Sequence, residues 1–249
     1  MNSYGFLAGC YDEFTTDVDY AAWAEYIQRH FERAGLPGST VLDLACGTGS
    51  LSVLLAEHGY RVIGVDLSEE MLAVADEKSS HLAENRPFFV CQPMQRLRLP
   101  EQVDSVICAL DSLNYVTRPA DVQKTFRRVH DALTPGGLFL FDINTPYKLE
   151  GLAGQTFLDE TEDTYCVWRT EFDPKKRLCY YGMDLFQRDG EVWERSFEEH
   201  IEYAYTAEEL TGWLREAGFT KIDVFGDRKC RAPKEDELRV YLAARKETT

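Results

Sequence analysis

Long apolar runs, basic blocks and paired cysteines are all missing from this chain of 249 residues. No stretch approaches the roughly 18 consecutive apolar residues of a membrane span, so no transmembrane segment is expected. The opening residues, MNSYGFLAGCYDEF, lack a basic start and soon turn acidic, which does not fit a secretory signal. The seven cysteines (10, 46, 91, 108, 166, 179 and 230) are odd in number and never form Cys-x-x-Cys. That spacing argues against a disulfide framework and a structural zinc, suits a reducing cytoplasm, and leaves no metal expected. Lys and Arg number 27 against 43 Asp and Glu, a formal charge of −16. Nucleic-acid binding draws on a dense basic face, so neither nucleic acid nor an anionic membrane is expected as partner. The acidity is read as keeping the chain soluble.

What is present is a regular alternation of elements. Residues 19–34 place Trp23, Tyr26, Ile27 and Phe31 at helical spacing, and GLPGST ends that helix. TVLDLA then reads as a strand and GSLSVLLAEHG as a helix. YRVIGVDLS is a second strand, with Ser68 placed to cap the helix EEMLAVADEKSSHLAE. PFFVCQPM and VDSVICAL give strands three and four, PADVQKTFRRVHDALTPGG a helix and turn, and LFLFDIN strand five. Nearly continuous apolar strands joined by helices predict an α/β fold whose mostly parallel sheet is covered on both faces.

After Pro146 the period changes to two. DTYCVWRTEFDPKKRLCYYGMDLFQRDGEVWERSFEEHIEYAY alternates apolar and polar residues, with turns at DPKK and RDGE, and predicts a three-stranded antiparallel meander. TAEELTGWLREAGF follows as a helix with Thr206 and Glu209 in capping-box positions, and KIDVFGD and LRVYLAARK close the chain as a hairpin. The expected organisation is one domain over 1–249. It comprises a helical cap (1–37), a Rossmann-like core (38–146 and 206–249) and an antiparallel insertion (147–205).

The loop in VLDLACGTGS identifies where a ligand meets backbone. A P-loop needs a lysine after its glycines, and none follows Gly49. The dinucleotide fingerprint would place Gly or Ala where Ser52 stands, which weakens a nicotinamide reading without removing it. Asp66, ending strand two, suits the ribose hydroxyls of any adenosine ligand; its alternative is a helix-start carboxylate. Asp43 discriminates. A carboxylate so close to the loop repels a pyrophosphate but suits an ammonium, and S-adenosylmethionine carries an ammonium, a sulfonium and no phosphate. Its structural alternative is a carboxylate bracing the loop.

VLDLACGTG, VIGVDLSEEML, VICALDSLNYV and LTPGGLFLFDINTPYK, in this order, resemble the class I S-adenosylmethionine-dependent methyltransferases. DSLNY, FDINTPYK and the leading YDEFTTDVDYAAW are similar to a bacterial small-molecule group that includes the antibiotic-sugar N,N-dimethyltransferases. The resemblance spans nearly the whole chain and implies a seven-stranded Rossmann-like sheet with S-adenosyl-L-methionine as cofactor. It implies that Ala45, Gly47 and Gly49 pass along the methionine part, oriented by Asp43. Asp66 would hold the ribose, Leu67 would cover the adenine, and the carbonyl of Leu110 would take the ligand's amino group. Tyr11 and Trp23 match aromatic positions that close over the cofactor. The group commonly shows Asp-Met after strand three, where this chain has Pro93-Met94. Gln92 or Gln95 is the candidate replacement, and Met94 is kept as a weak site residue or a packing one.

NTPY, residues 144–147, is similar to the Asn-Pro-Pro-Tyr signature of amino-methyltransferases, but it follows strand five rather than strand four. It is read as the hinge into the meander, with Tyr147 as a candidate lining residue. Methyl transfer needs alignment of donor and nucleophile above all; a hydroxyl acceptor also wants a base. Tyr11, Asp111 and His200 are the catalytic candidates, with Tyr115 near the same mouth. His30, His58, His81 and His130 lie on predicted helices as surface or boundary residues. The meander aromatics Tyr165, Trp168, Tyr180, Tyr181, Phe186 and Trp193 either line a pocket or pack a half-buried sheet. The expected partner is a small-molecule acceptor of methyl at N or O, and the chain is expected to be a monomer or homodimer. An NAD-dependent oxidoreductase and a non-catalytic S-adenosylmethionine-binding protein are the alternatives.

Overall fold

The computed structural model describes residues 7–36 and 39–248. The first six residues of the expected cap, and positions 37–38 where cap was to meet core, lie outside the described residues.

A short helix α1 (Tyr11–Phe14) leads into α2 (Tyr20–Ala34). Asp19 caps α2 by accepting the Ala22 N–H, and Gly35 ends it at φ 73°, a conformation glycine adopts without strain. The chain then alternates β1 (Thr40–Leu44), α3 (Ser50–Glu57), β2 (Arg61–Asp66), α4 (Glu69–Lys78), β3 (Phe88–Cys91), β4 (Val103–Cys108), α5 (Pro119–Ala132) and β5 (Leu133–Asn144). Beyond it come α6 (Pro146–Gly151), strands β6 (Thr156–Glu160), β7 (Thr164–Asp173), β8 (Leu178–Asp189) and β9 (Val192–Tyr203), then α7 (Ala207–Ala217), β10 (Phe219–Phe225) and β11 (Arg239–Lys246).

Seven strands make one sheet in the order β10-β11-β5-β4-β1-β2-β3. The first five strands run parallel, and β11 lies antiparallel between β5 and β10. The two closing strands do pair as the expected hairpin, and through β11 they extend the main sheet. Each central strand is buried on both faces. Leu42, Leu44, Val106, Phe139 and Phe141 pack against α5 on one side, and Val41, Val62, Ile107 and Leu140 pack against α2 and α3 on the other. Asp43, Asp66 and Leu110 consequently converge on the carboxyl edge beside the β1–β4 crossover, where open α/β sheets bind ligands.

Several details differ from the sequence reading. Helix α4 stops at Lys78, six residues before the expected end, because the Ser79 hydroxyl bonds back to the Asp76 carbonyl at 2.9 Å and competes with helix continuation. Strand β5 begins at Leu133 rather than Leu138, carrying Pro135-Gly136-Gly137 as an irregularity against Val103–Ser105. The antiparallel part has four strands, in the order β6-β7-β8-β9, rather than three. The added edge strand β6 is exposed at every residue, so it shows no burial alternation.

Candidate functional site

The glycine loop is shaped by two carboxylates with different tasks. Asp66 accepts the N–H of Gly47 at 2.8 Å and that of Ser68 at 2.9 Å, so it braces the loop against the start of α4. Ser68 also caps α4, accepting the Met71 N–H. Asp43 is almost wholly buried, and the Ser52 hydroxyl donates to it at 2.6 Å. Ser52 therefore serves Asp43. Desolvation pushes the Asp43 pKa up to about 7, with Ser52 opposing and Asp66 adding to the rise. Ala45 sits at φ 61° and Gly47 at φ 53°. Gly49, which caps α3 at φ 75°, has a different requirement. A Cβ there would lie 2.8 Å from Ala75, so the residue allows α3 and α4 to approach.

Across the crevice, the turn after β4 holds two consecutive non-glycine residues in the left-handed region, Leu110 at φ 59° and Asp111 at φ 53°. Such residues persist only where their surroundings hold them. The Asp111 N–H donates to Asp142 at 3.0 Å. Arg239 bonds both carboxylates, reaching Asp111 Oδ1 at 2.5 Å. Burial pushes the Asp142 carboxyl pKa up, and Arg239 opposes that rise.

Two cavities meet at this turn. One, of about 50 Å³, lies on the glycine loop and is walled by Asp43, Ala45, Gly47, Thr48 and Ala109. The other, of about 240 Å³, lies beneath the four-stranded sheet and is walled by Asp111, Tyr115, Trp168, His200 and Arg239. Tyr11, Leu110 and Ser112 belong to both. Tyr11 comes from the N-terminal segment, whose Asp12 is clasped by the core. The Thr48 hydroxyl donates to Asp12 at 2.7 Å, and Lys78 reaches Asp12 at 2.7 Å, Ser50 at 2.8 Å and Thr48 at 3.1 Å. Burial pushes the Tyr11 hydroxyl pKa well up, so at neutral pH it remains a proton donor.

Of the candidate residues, Tyr11, Asp43, Ala45, Gly47, Leu110, Asp111 and His200 line these cavities. Trp23 does not. It packs on Tyr26 and Tyr241, with the Arg228 guanidinium 5.5 Å above its ring. Met94 packs against the main core. Leu67, 68% exposed, follows Asp66 on the open side of the sheet. The Gln92 amide is held on the backbone of Arg98. Tyr147 is exposed, and Asn144 donates to Glu202 at 2.9 Å and accepts from Lys148 at 2.9 Å. Of the six meander aromatics, only Trp168 lines the larger cavity.

Sequence reasoning missed the inner face of β9. Glu198, His200 and Glu202 alternate along it, and all three are buried. Glu198 Oε2 lies 3.3 Å from His200 Nε2. Burial and the nearby Asp111 push the Glu202 pKa up, with Asn144, Tyr181 and Lys148 opposing. The signal was present as Glu-x-His-x-Glu, but it reads equally as a solvated strand face.

The cavity at the glycine loop suits a cationic ligand group. Asp43 is a desolvated carboxylate on its wall, poised near neutrality, and a nearby positive charge would stabilise its ionised form. Among the described residues there is no cluster able to hold a metal ion, and no helix is long and apolar enough to cross a membrane.

Comparison with known proteins agrees with this geometry. Residues 41–137 match the model of a methyltransferase domain. The Bacillus subtilis protein YqeM, classed with the methyltransferases, is 34% identical over 249 residues, covering 99% of this chain and 98% of that one. The structure is similar to an S-adenosylmethionine-dependent methyltransferase from Clostridium acetobutylicum, with TM-score 0.87, 32% identity, and coverage of 98% and 99% of the two chains. It also shares its fold with the sugar N-methyltransferase KedS8 of Streptoalloteichus, with TM-score 0.77, 23% identity, and coverage of 95% and 93%. Identity of about a third along the full chain, with a TM-score of 0.87 to one such enzyme, leads to one conclusion: the protein belongs to the class I S-adenosylmethionine-dependent methyltransferases, with S-adenosylmethionine as its cofactor.

Proposed function

We propose that the protein transfers a methyl group to N or O of a small molecule held beneath the four-stranded sheet. One observation carries this reading: the cavity on the glycine loop and the larger cavity share Tyr11, Leu110 and Ser112, so the two spaces meet at one wall. In this reading Asp43 faces the ammonium of the cofactor, Ala45 and Gly47 pass along its methionine part, and Gly49 sets the start of α3 beneath it. Asp66 takes the ribose, Leu67 covers the adenine, and Leu110 offers its carbonyl. The segment 147–205 acts as the cover that selects the acceptor, and the N-terminal segment closes the front through Tyr11.

The cofactor supplies an electrophilic methyl group, and this chain supplies alignment. Positioning of this kind is worth up to about 7–11 kcal/mol. The Asp142–Arg239 pair holds the Leu110–Asp111 turn, and the Asp12–Lys78 clasp holds Tyr11. Family membership sets aside the oxidoreductase alternative, and detectable methyl transfer to an acceptor would set aside the non-catalytic one. The test is a calorimetric titration with S-adenosylhomocysteine and, in parallel, with NAD. Micromolar binding of the first, about −8 kcal/mol, with none of the second is the expected result. Binding of NAD alone would contradict it.

A further inference from the structure

The larger cavity combines aromatic walls with a charge balance that leans negative. At about 240 Å³ it falls below the ~300–1,000 Å³ of sites for drug-sized ligands, so it takes a compact acceptor. Four rings wall it: Tyr11 and Phe14 from α1, Tyr115 from the turn after β4, and Trp168 from β7. The Tyr115 and Trp168 rings stand 6.1 and 6.2 Å from that of His200. Burial keeps the Tyr11 hydroxyl protonated, so this wall carries no phenolate.

Among the described lining residues Arg239 is the one permanent cation, and two carboxylates occupy it. Asp111 Oδ1 accepts from its Nη2 at 2.5 Å, and Asp142 accepts from its Nη1. An anion entering here would meet a neutralised guanidinium with a carboxylate beside it. His200 adds no net positive charge, because Glu198 Oε2 lies 3.3 Å from its Nε2. Asp111 retains capacity, since a carboxylate offers about four lone-pair sites and Arg239 bonds its Oδ1. A carboxylate beside aromatic faces holds an organic cation through counter-charge and ring quadrupoles together. The formal charge of −16 on the whole chain also favours the arrival of a cation.

We infer that the methyl acceptor is a compact organic cation whose positive group sits among Tyr11, Phe14, Tyr115 and Trp168 with Asp111 as counter-charge, and that acceptors bearing phosphate or carboxylate are rejected; this rests on the methyl-transfer reading above. The charged group is an anchor. A protonated amine has no lone pair to attack with, so the methyl goes to a neutral nitrogen or oxygen elsewhere on the same molecule. Asp111 thereby sets specificity, and the Leu110–Asp111 turn places the anchor next to the wall shared with the cofactor cavity.

The test uses the full chain saturated with S-adenosylhomocysteine and three probes built on one ring: benzylamine, benzyl alcohol and benzyl phosphate, titrated calorimetrically at neutral pH. Benzylamine, a cation there, should bind about tenfold or more tighter than benzyl alcohol, and benzyl phosphate should not bind. Asp111→Asn and Trp168→Leu should each bring the amine-to-alcohol ratio toward one. Both probes are read on one preparation, so a partial loss of folded protein does not move that ratio; if Asp111→Asn fails to fold, Trp168→Leu carries the test. Equal affinity for amine and alcohol, tighter binding of the phosphate, no binding of any probe, or an unchanged ratio in either variant would overturn the inference and leave the methyl-transfer reading standing. Failure of S-adenosylhomocysteine to bind would remove that reading and this inference with it.

Discussion

The two sheets place their ionisable residues differently. In the seven-stranded sheet the central strands bury apolar side chains, and the carboxylates of the crevice sit toward the carboxyl ends: Asp43 in β1, Asp66 at the end of β2, Asp142 near the end of β5. In the four-stranded sheet, β9 turns Glu198, His200 and Glu202 inward along its second half and leaves Phe197 54% exposed. The main sheet keeps its core apolar and gathers these carboxylates at one rim, apart from the packed interior. The four-stranded sheet lays polar groups along its buried face, so its inner surface both packs and walls the larger cavity.

Experiments can break this contrast, beginning where the largest effect is expected. Asp142→Ala should destabilise the protein by up to about 3–5 kcal/mol in denaturant unfolding, because it removes a fully buried carboxylate from the partly buried Arg239 and from the Asp111 N–H. A loss below about 1 kcal/mol would mean that Asp111 alone satisfies that guanidinium.

The next effect is on pH. Burial pushes the Asp43 pKa up to about 7 and raises that of Glu202 as well, against roughly 4 in an unfolded chain. Between those limits the native state holds protons that the unfolded state has released, so stability is full below about pH 4 and falls as pH rises through the native values. The ligand-free protein should lose a few kcal/mol between about pH 5 and 8, on a slope of at most ~1.4 kcal/mol per pH unit per group. Asp43→Asn should remove the part ending near 7, and Glu202→Gln the remainder. Unfolding midpoints that stay flat with pH in the wild type would contradict the burial argument. The Asp12–Lys78 clasp is partly exposed, so Lys78→Ala should change stability by less than about 1 kcal/mol. Its sharper readout is faster release of S-adenosylhomocysteine at low salt, a difference that high salt should erase.

Much of the main sheet was legible because its strands are continuous apolar runs bounded by glycine or a cap. Ser68 and the Thr206–Glu209 capping box stand where the pattern placed them. Asp43, Gly47 and Leu110 were legible as residues of the crevice, where they line the smaller cavity, because a strand–glycine loop–helix has few uses. The cover sheet was harder. A period-two reading of FEEHIEY normally buries Phe197 and exposes Glu198 and His200, whereas the structure does the reverse. Pattern shows that two faces exist, and only tertiary packing decides which faces inward. Strand β6 escaped notice because an edge strand exposed on both faces carries no alternation. Trp23 misled for the opposite reason: a large aromatic at helical spacing serves a core as well as a ligand, and here it seals α2 against Tyr241.

The most direct test of the division between the sheets is one calorimetric series with S-adenosylhomocysteine on the wild type, Asp66→Ala and His200→Gln. The account expects Asp66→Ala to weaken binding by more than about 1 kcal/mol, since a charged acceptor for two hydroxyls is lost, and His200→Gln to leave binding unchanged. Unaltered affinity in Asp66→Ala together with a large loss in His200→Gln would place the cofactor under the cover sheet and contradict the account.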